Sequence, residues 1–235
     1  MCNLCAYDTA QASDVMQRFN KVSLSIGCSA RQSSSLTQQH FRLAQSIDYT
    51  NLSTWLQGEM RSNHAGETGA VWIYKGAQAA MKLRSSPPRM HAFASEHLET
   101  ERQHLALFDE MLPASALSRA LPLWRLSGFM LGFLPALLHP RAFFCTIEAV
   151  ERFVEEHYMC QINPLENSGQ HHELVQLLRI CCEEEVNHAD EAASLWRGGQ
   201  GPQARMHPAL AATAQAWSSV VASGSKAAVW LAKRV

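Results

Sequence analysis

Charge is scarce in this chain. Only 17% of its 235 residues are Asp, Glu, Lys or Arg, against 47% apolar, and the formal net charge is −1. That balance offers no basic footprint for nucleic acid. A disulfide framework is missing too: seven Cys is an odd number without framework spacing, so a reducing compartment is the default. Cys2 and Cys5 form a C-x-x-C at the N-terminus, but no βαβ pattern surrounds them, so it reads as incidental. Cys181-Cys182 reads as a pair of small core residues on a helix. Runs of β-branched residues are few, while Ala, Leu, Glu and Gln abound, which favours helix over strand.

A secretory signal is also lacking, because the start of the chain has no apolar h-region. Residues 1–46 are rich in Ser and Gln, with Arg18, Lys21, Arg31 and Arg42 and no acid between Asp14 and Asp48. An organelle transit peptide shares that bias, but Asp8 and Asp14 argue against one. The expectation is an extension over 1–46, either a poorly ordered tail or a short helix, ahead of one domain over 47–235.

Within that domain one pattern occurs twice. Glu67 precedes Glu101-Arg-Gln-His104 by 101 − 67 = 34 residues, and Glu151 precedes Glu185-Val-Asn-His188 by 185 − 151 = 34. Glu and His at i and i+3 share a helix face and can reach one ion. A gap of 34 residues holds the rest of one helix, a turn and part of an antiparallel return, which sets the lone Glu level with the pair. Two such hairpins face to face would gather four carboxylates and two imidazoles, the ligand set of a carboxylate-bridged dimetal bundle. Hard oxygen donors with two imidazoles favour iron or manganese over structural zinc. With 16 Glu and 11 His, about one Glu-x-x-His is expected by chance, so the repeated offset carries the argument rather than either motif alone.

The punctuation of the chain agrees. A helix capped near Asp48–Ser53 runs to Leu83, before Ser85-Ser86-Pro87-Pro88, and a second runs from Arg89 to Met111. A third covers Phe143 to Ile162, closed by Asn163-Pro164, and a fourth covers His171 to Trp196, before Gly198-Gly199. A last helix, 208–234, carries no carboxylate and suits a cover over the bundle or a contact with lipid. The fold class is therefore all-α. Between the hairpins lies an apolar segment, 117–140, whose nineteen residues 120–138 hold one charge, Arg125. Pro122, Gly128, Gly132 and Pro135 argue against a clean span, and a crossing would part the two hairpins. A buried crossover or a segment lying in the membrane interface remains, and Trp124, Phe129, Phe133, Arg119 and Arg141 favour the interface.

Several of these motifs resemble one family. Asn63-His-Ala-Gly-Glu-Thr-Gly-Ala70 with Ile73-Tyr74 is similar to a signature of the demethoxyubiquinone hydroxylases, di-iron quinone-ring hydroxylases of ubiquinone biosynthesis. Glu101-Arg-Gln-His104-Leu, Cys145-Thr, Val150-Glu151, His157-Tyr158-x-x-Gln161-Ile162 and Glu185-x-x-His188-x-Asp190 follow in the family's order. Leu121-Pro-Leu-Trp and the Gly-Phe-x-Leu-Gly that follows resemble its membrane-contacting segment. The resemblance covers about 47–235.

It implies a ferritin-like four-helix bundle with an apolar membrane-contacting crossover and an extra C-terminal helix. Its iron ligands would be Glu67, Glu101, His104, Glu151, Glu185 and His188, with His157, Asp190 and Tyr158 around them. The cofactors implied are two Fe ions per chain, with O2 as co-substrate and an external reductant, NADH being one candidate. The partners implied are a polyprenyl quinone or quinol, the membrane surface through 117–140, and a homo-oligomer or biosynthetic complex. The expected location is peripheral, on the cytoplasmic face of a bacterial inner membrane, or alternatively on the matrix face of the mitochondrial one. Asn63 departs from the family's Asp. The Cys145–Glu151 segment is one residue longer than usual, which leaves Glu148 as a rival ligand. A related hydroxylase or oxidase acting on another lipid-soluble substrate is the alternative, with a ferroxidase or iron-binding protein behind it.

Overall fold

A computed structural model describes residues 38–198 and 208–235. The described residues form seven α-helices in chain order: α1 Gln38–Ser46, α2 Thr54–Leu83, α3 Pro88–Met111, α4 Leu121–Leu138, α5 Pro140–Ser168, α6 His172–Arg197 and α7 Pro208–Ala232. No strand occurs among them. The Cys2–Cys5 motif and most of the 1–46 extension lie outside the described residues, but its end forms the short helix α1.

Local chemistry sets the helix ends. Ser53 caps α2 by accepting a hydrogen bond from the Leu56 N–H. Pro88 and Pro140 begin α3 and α5, where a missing N–H costs nothing. Gly169 and Gly198 end α5 and α6 in the left-handed conformation that glycine adopts without strain.

One expected boundary is corrected. Asn163-Pro164 does not close its helix, and α5 continues through Pro164 to Ser168. Pro164 removes a single hydrogen bond near the helix end, while Leu165 beyond it is buried against the α6 core. Burial of that leucine, about 1.5–3 kcal/mol, outweighs the lost bond.

The four long helices share one layered pattern. One apolar cluster holds Tyr74, Phe93, Ile147 and Trp196, and a second holds Met60, Phe108, Tyr158 and Leu178. Along α2, α3, α5 and α6 alike, the acidic and histidine positions fall between the stretches that feed these two clusters. The equal 34-residue offsets thus become one polar layer at a common height in the bundle.

The apolar segment forms one helix, α4, packed lengthwise on α2. Their backbones touch. A Cβ on Gly132 would run into the Ile73 carbonyl, one on Gly128 into Gly69, and one on Gly76 into Phe129. Gly128-x-x-x-Gly132 is the small-residue spacing that lets helices approach this closely. Among the described residues α4 alone is long and apolar enough to cross a membrane, by length and composition. Its packed face carries Trp124, Gly128, Gly132, Pro135 and Ala136, whereas Leu123, Leu126, Met130, Leu134 and Leu138 are exposed.

Gly132→Ala is expected to destabilise the fold by about 2–4 kcal/mol, because the added methyl meets backbone that cannot rotate away. Gly224→Ala on α7, where a Cβ meets nothing, is expected to be neutral or slightly stabilising. Thermal melts followed by circular dichroism compare the two, and equal melting temperatures would contradict the close-packed seam.

Candidate metal centre

The six residues selected by spacing come together. Glu67 sits on α2, Glu101 and His104 on α3, Glu151 on α5, and Glu185 and His188 on α6. None is more than 7% exposed. They form two overlapping groups whose ligand atoms lie within 4.8 Å of one another: Glu67, Glu101, His104 and Glu185 in one, Glu101, Glu151, Glu185 and His188 in the other. Glu101 and Glu185 belong to both, as carboxylates able to bridge two ions must. His104 Nδ1 lies 2.9 Å from Glu185 Oε1 and 3.7 Å from Glu67 Oε2. His188 Nδ1 lies 3.2 Å from both Glu101 Oε1 and Glu185 Oε2.

The donor atoms fit divalent cations. Both Glu101 oxygens and His104 Nδ1 are buried without a hydrogen bond; of the approaches above, only His188 Nδ1 to Glu185 Oε2 has hydrogen-bonding geometry. Buried polar atoms rarely stay unsatisfied, so orphans at the centre of a six-residue cluster point to a missing partner of positive charge. Four oxygen donors and two imidazoles are the chemistry of iron or manganese.

Electrostatics says the same. Burial, followed by the charge of Glu185, pushes the Glu101 carboxyl up to about 8. Glu151 is raised well above its usual range by burial and then by Glu185, Glu101 and Glu67. Burial also opposes ionisation of Glu185, but the close approach and charge of His104 and His188 outweigh it and hold that carboxyl low. His188 loses to burial and gains more from the adjacent Glu101 and Glu185 carboxylates, so it rises to about 10. In the absence of cations, protons on Glu101, Glu151 and the two imidazoles hold this cluster together.

The surroundings match the expectations in part. Tyr158 touches the cluster, its hydroxyl donating to Glu67 Oε1 at 2.5 Å. His157 sits elsewhere: its Nε2 lies 3.1 Å from Ser62 Oγ and 3.8 Å from Glu59, and burial drops its pKa to about 3. Asp190 is largely exposed and pairs with Arg152, away from the six. Neither His157 nor Asp190 bonds a cluster residue: His157 meets Ser62 and Glu59 of α2, and Asp190 meets Arg152 of α5. Glu148, the rival for Glu151, accepts hydrogen bonds at 2.5 Å from Trp196 Nε1 and from Arg197 and lies outside both groups. Asn63 forms a reciprocal amide pair with Gln161 at 2.8 and 3.0 Å, which an aspartate there could not complete.

Four participants escaped the sequence reading. Glu184 Oε2 lies 2.7 Å from His104 Nε2, a carboxylate–histidine arrangement that orients a metal-facing ring. Tyr74 donates to Glu151 Oε1 at 3.4 Å. His97, one turn before Glu101, stacks on Phe93 and abuts His188, with ring centroids 3.9 and 4.0 Å apart. Its Nε2 lies 3.1 Å from Glu191 Oε2. The i−4 relation of His97 to Glu101 was the available signal.

Known proteins are similar to this chain in sequence. The family model for "Ubiquinone biosynthesis protein COQ7" matches residues 54–232. A human protein named NADPH-dependent 3-demethoxyubiquinone 3-hydroxylase, mitochondrial, is 32% identical over 181 residues, 75% of this chain and 76% of its own length. The 3-demethoxyubiquinol 3-hydroxylase of Rhodospirillum rubrum is 31% identical over 180 residues, again 75% and 76%. The NADPH-dependent mitochondrial hydroxylase of Dictyostelium discoideum is 28% identical over 180 residues, with the same coverage.

Proposed function

The chain belongs to the COQ7 family of ubiquinone biosynthesis proteins, and on that premise we propose that it hydroxylates the ring of a demethoxy-type polyprenyl quinol at a two-iron centre. The observation that carries the reading is the pair of overlapping buried groups sharing Glu101 and Glu185. Glu67, Glu101 and His104 would hold one iron with Glu185, and Glu151, Glu185 and His188 the other with Glu101. The ions would supply the binding and reduction of O2.

The protein supplies placement and protons. Tyr158 holds Glu67 and Glu184 holds His104, so these donors meet the ions already oriented. Tyr74 does the same for Glu151. The apolar clusters above and below the polar layer exclude water from the reacting ring. The relatives' names point to NADPH rather than NADH as reductant.

A lipid-soluble substrate needs a membrane route, and the exposed face of α4 supports one. Leu126, Met130, Leu134 and Leu138 are uncovered on it, and Trp217, Val220 and Trp230 are uncovered on α7. The charges flanking these helices have one sign. No Asp or Glu occurs between Glu110 and Glu148 or after Glu191, while Arg119, Arg125, Arg141, Lys226, Lys233 and Arg234 do. Basic residues beside an apolar face suit the surface of an anionic bilayer. Relatives named as mitochondrial favour the mitochondrial inner membrane as that surface, with a bacterial inner membrane as the alternative.

The test is turnover of a demethoxyquinol by the iron-loaded protein with NADPH and O2. Wild type is expected to hydroxylate both a long-tailed quinol held in vesicles and a short-tailed soluble one. A triple change of Leu126, Met130 and Leu134 to Glu is expected to abolish only the vesicle reaction. No hydroxylation of either substrate by iron-loaded wild type would overturn the function, and an unaffected vesicle reaction in the triple variant would overturn the membrane route.

A further inference from the structure

The two halves of the cluster are backed differently. In the second Glu-x-x-His, the residue before Glu185 is Glu184, and it reaches across to His104. The matching position before Glu101 is Thr100, which has no carboxylate to give His188. A different device stands at that side. The ring against His188 is His97, with centroids 4.0 Å apart and planes tilted by 57°. His97 is only 3% exposed and is stacked by Phe93, with planes 24° apart. Its Nε2 is tied to Glu191, one turn beyond His188 on α6, and its buried Nδ1 has no hydrogen-bonding partner. The Glu191–His97 pair therefore links α3 to α6 beside the cluster and fixes the surface on which the His188 ring rests.

We propose that His97, held by Glu191, is a positioning residue for His188, and that the two ions are consequently bound with unequal affinity. The inference rests on the six-residue metal reading above. His104 is oriented by a carboxylate that bonds it directly, which fixes its ring and raises its basicity. His188 is oriented by a packed ring whose own carboxylate is half-exposed, with Glu191 49% open to solvent. A carboxylate one ring removed restrains the ligand through contact alone and does not add to its basicity, so the His188 side is the weaker of the two.

Cobalt(II) alone, titrated anaerobically into the full chain and read by its visible d–d bands, tests this without turnover. Wild type is expected to take up two ions in two resolvable steps. His97→Ala should weaken the second step by about 10–100-fold, the usual cost of removing an outer partner, and leave the first within about twofold. Glu191→Ala, at a half-exposed position, should weaken the same step by a smaller factor. Glu184→Ala should weaken the other step instead. The proposal is overturned if His97→Ala and Glu191→Ala both leave the two steps within about twofold of wild type. It is also overturned if both steps weaken equally, which would make His97 a packing residue of the bundle. Failure of wild type to bind cobalt(II) would overturn the metal reading along with it.

Discussion

Replacing Glu101 with glutamine is expected to raise the melting temperature of the metal-free chain above pH 8 and, in the same variant, to abolish iron binding and hydroxylation. The two signs have one cause. Glu101 is fully buried, neither of its oxygens has a hydrogen bond, and its ionisation is resisted by burial and by Glu185. Above pH 8, where that carboxyl is ionised, a neutral amide of the same shape removes the charge, with about 2–4 °C of melting temperature returning for each kcal/mol recovered. With iron the balance reverses. A ligand that binds only the native state stabilises it in proportion to the logarithm of its concentration over Kd, and Glu101 belongs to both groups. Glutamine keeps one weak donor and no charge, so about two irons per chain should become none, with activity falling by about 1,000-fold or more. Calorimetry on metal-free and Fe(II)-loaded samples, beside an iron count, measures both signs. Retention of both irons by Glu101→Gln would remove Glu101 from the centre.

What made the centre legible was repetition. Glu67 to Glu101 and Glu151 to Glu185 span equal stretches because both hairpins must return to the same height, and a bundle with level layers writes that constraint into spacing. Helix limits were legible for a related reason: Ser53, Pro88 and Gly198 act locally, through caps and breaks that depend on few neighbours. Pro164 misled because its local cost is small beside the burial of Leu165, a tertiary quantity. The partners of the cluster were hidden for the same reason. Glu184 reaches His104 from another helix, and Lys233, near the end of the chain, pairs at 2.6 Å with the buried Glu59 of α2. Nothing in the spacing of either pair announces such contacts. Asp190 matched its motif by position, yet it turned to Arg152, because a motif fixes where a residue sits on a helix and not which neighbour its side chain meets.

Proton balance gives the other large effect. In the metal-free cluster Glu101 titrates at about 8 and His188 at about 10, with Glu151 and His104 also raised, whereas Glu185 is held low and is already ionised at neutral pH. Metal ligation requires all six deprotonated, so binding two ions at pH 7 should release close to four protons, and Glu185 contributes none. Affinity must therefore rise with pH, by about 100-fold per unit for each ion below pH 8, flattening first as Glu101 loses its proton. The fold of the metal-free protein should respond in the opposite direction. Glu101 and Glu151 bind protons more tightly folded than unfolded, so the stability they provide is present below the ordinary carboxylate range and is lost as pH rises towards 8. His188 behaves as a raised base: its contribution is complete below about 6.5 and disappears only as pH passes 10. Buried His157 and His97, with lowered pKa values, act in the opposite sense up to about pH 6.5. Between pH 6.5 and 8 the metal-free melting temperature is thus expected to fall, while that of the Fe(II)-saturated protein rises as binding strengthens. Melts at fixed Fe(II) across that window, with proton release followed by a pH indicator, measure both slopes. Parallel curves for the two forms would mean that the buried carboxylates do not hold the ions.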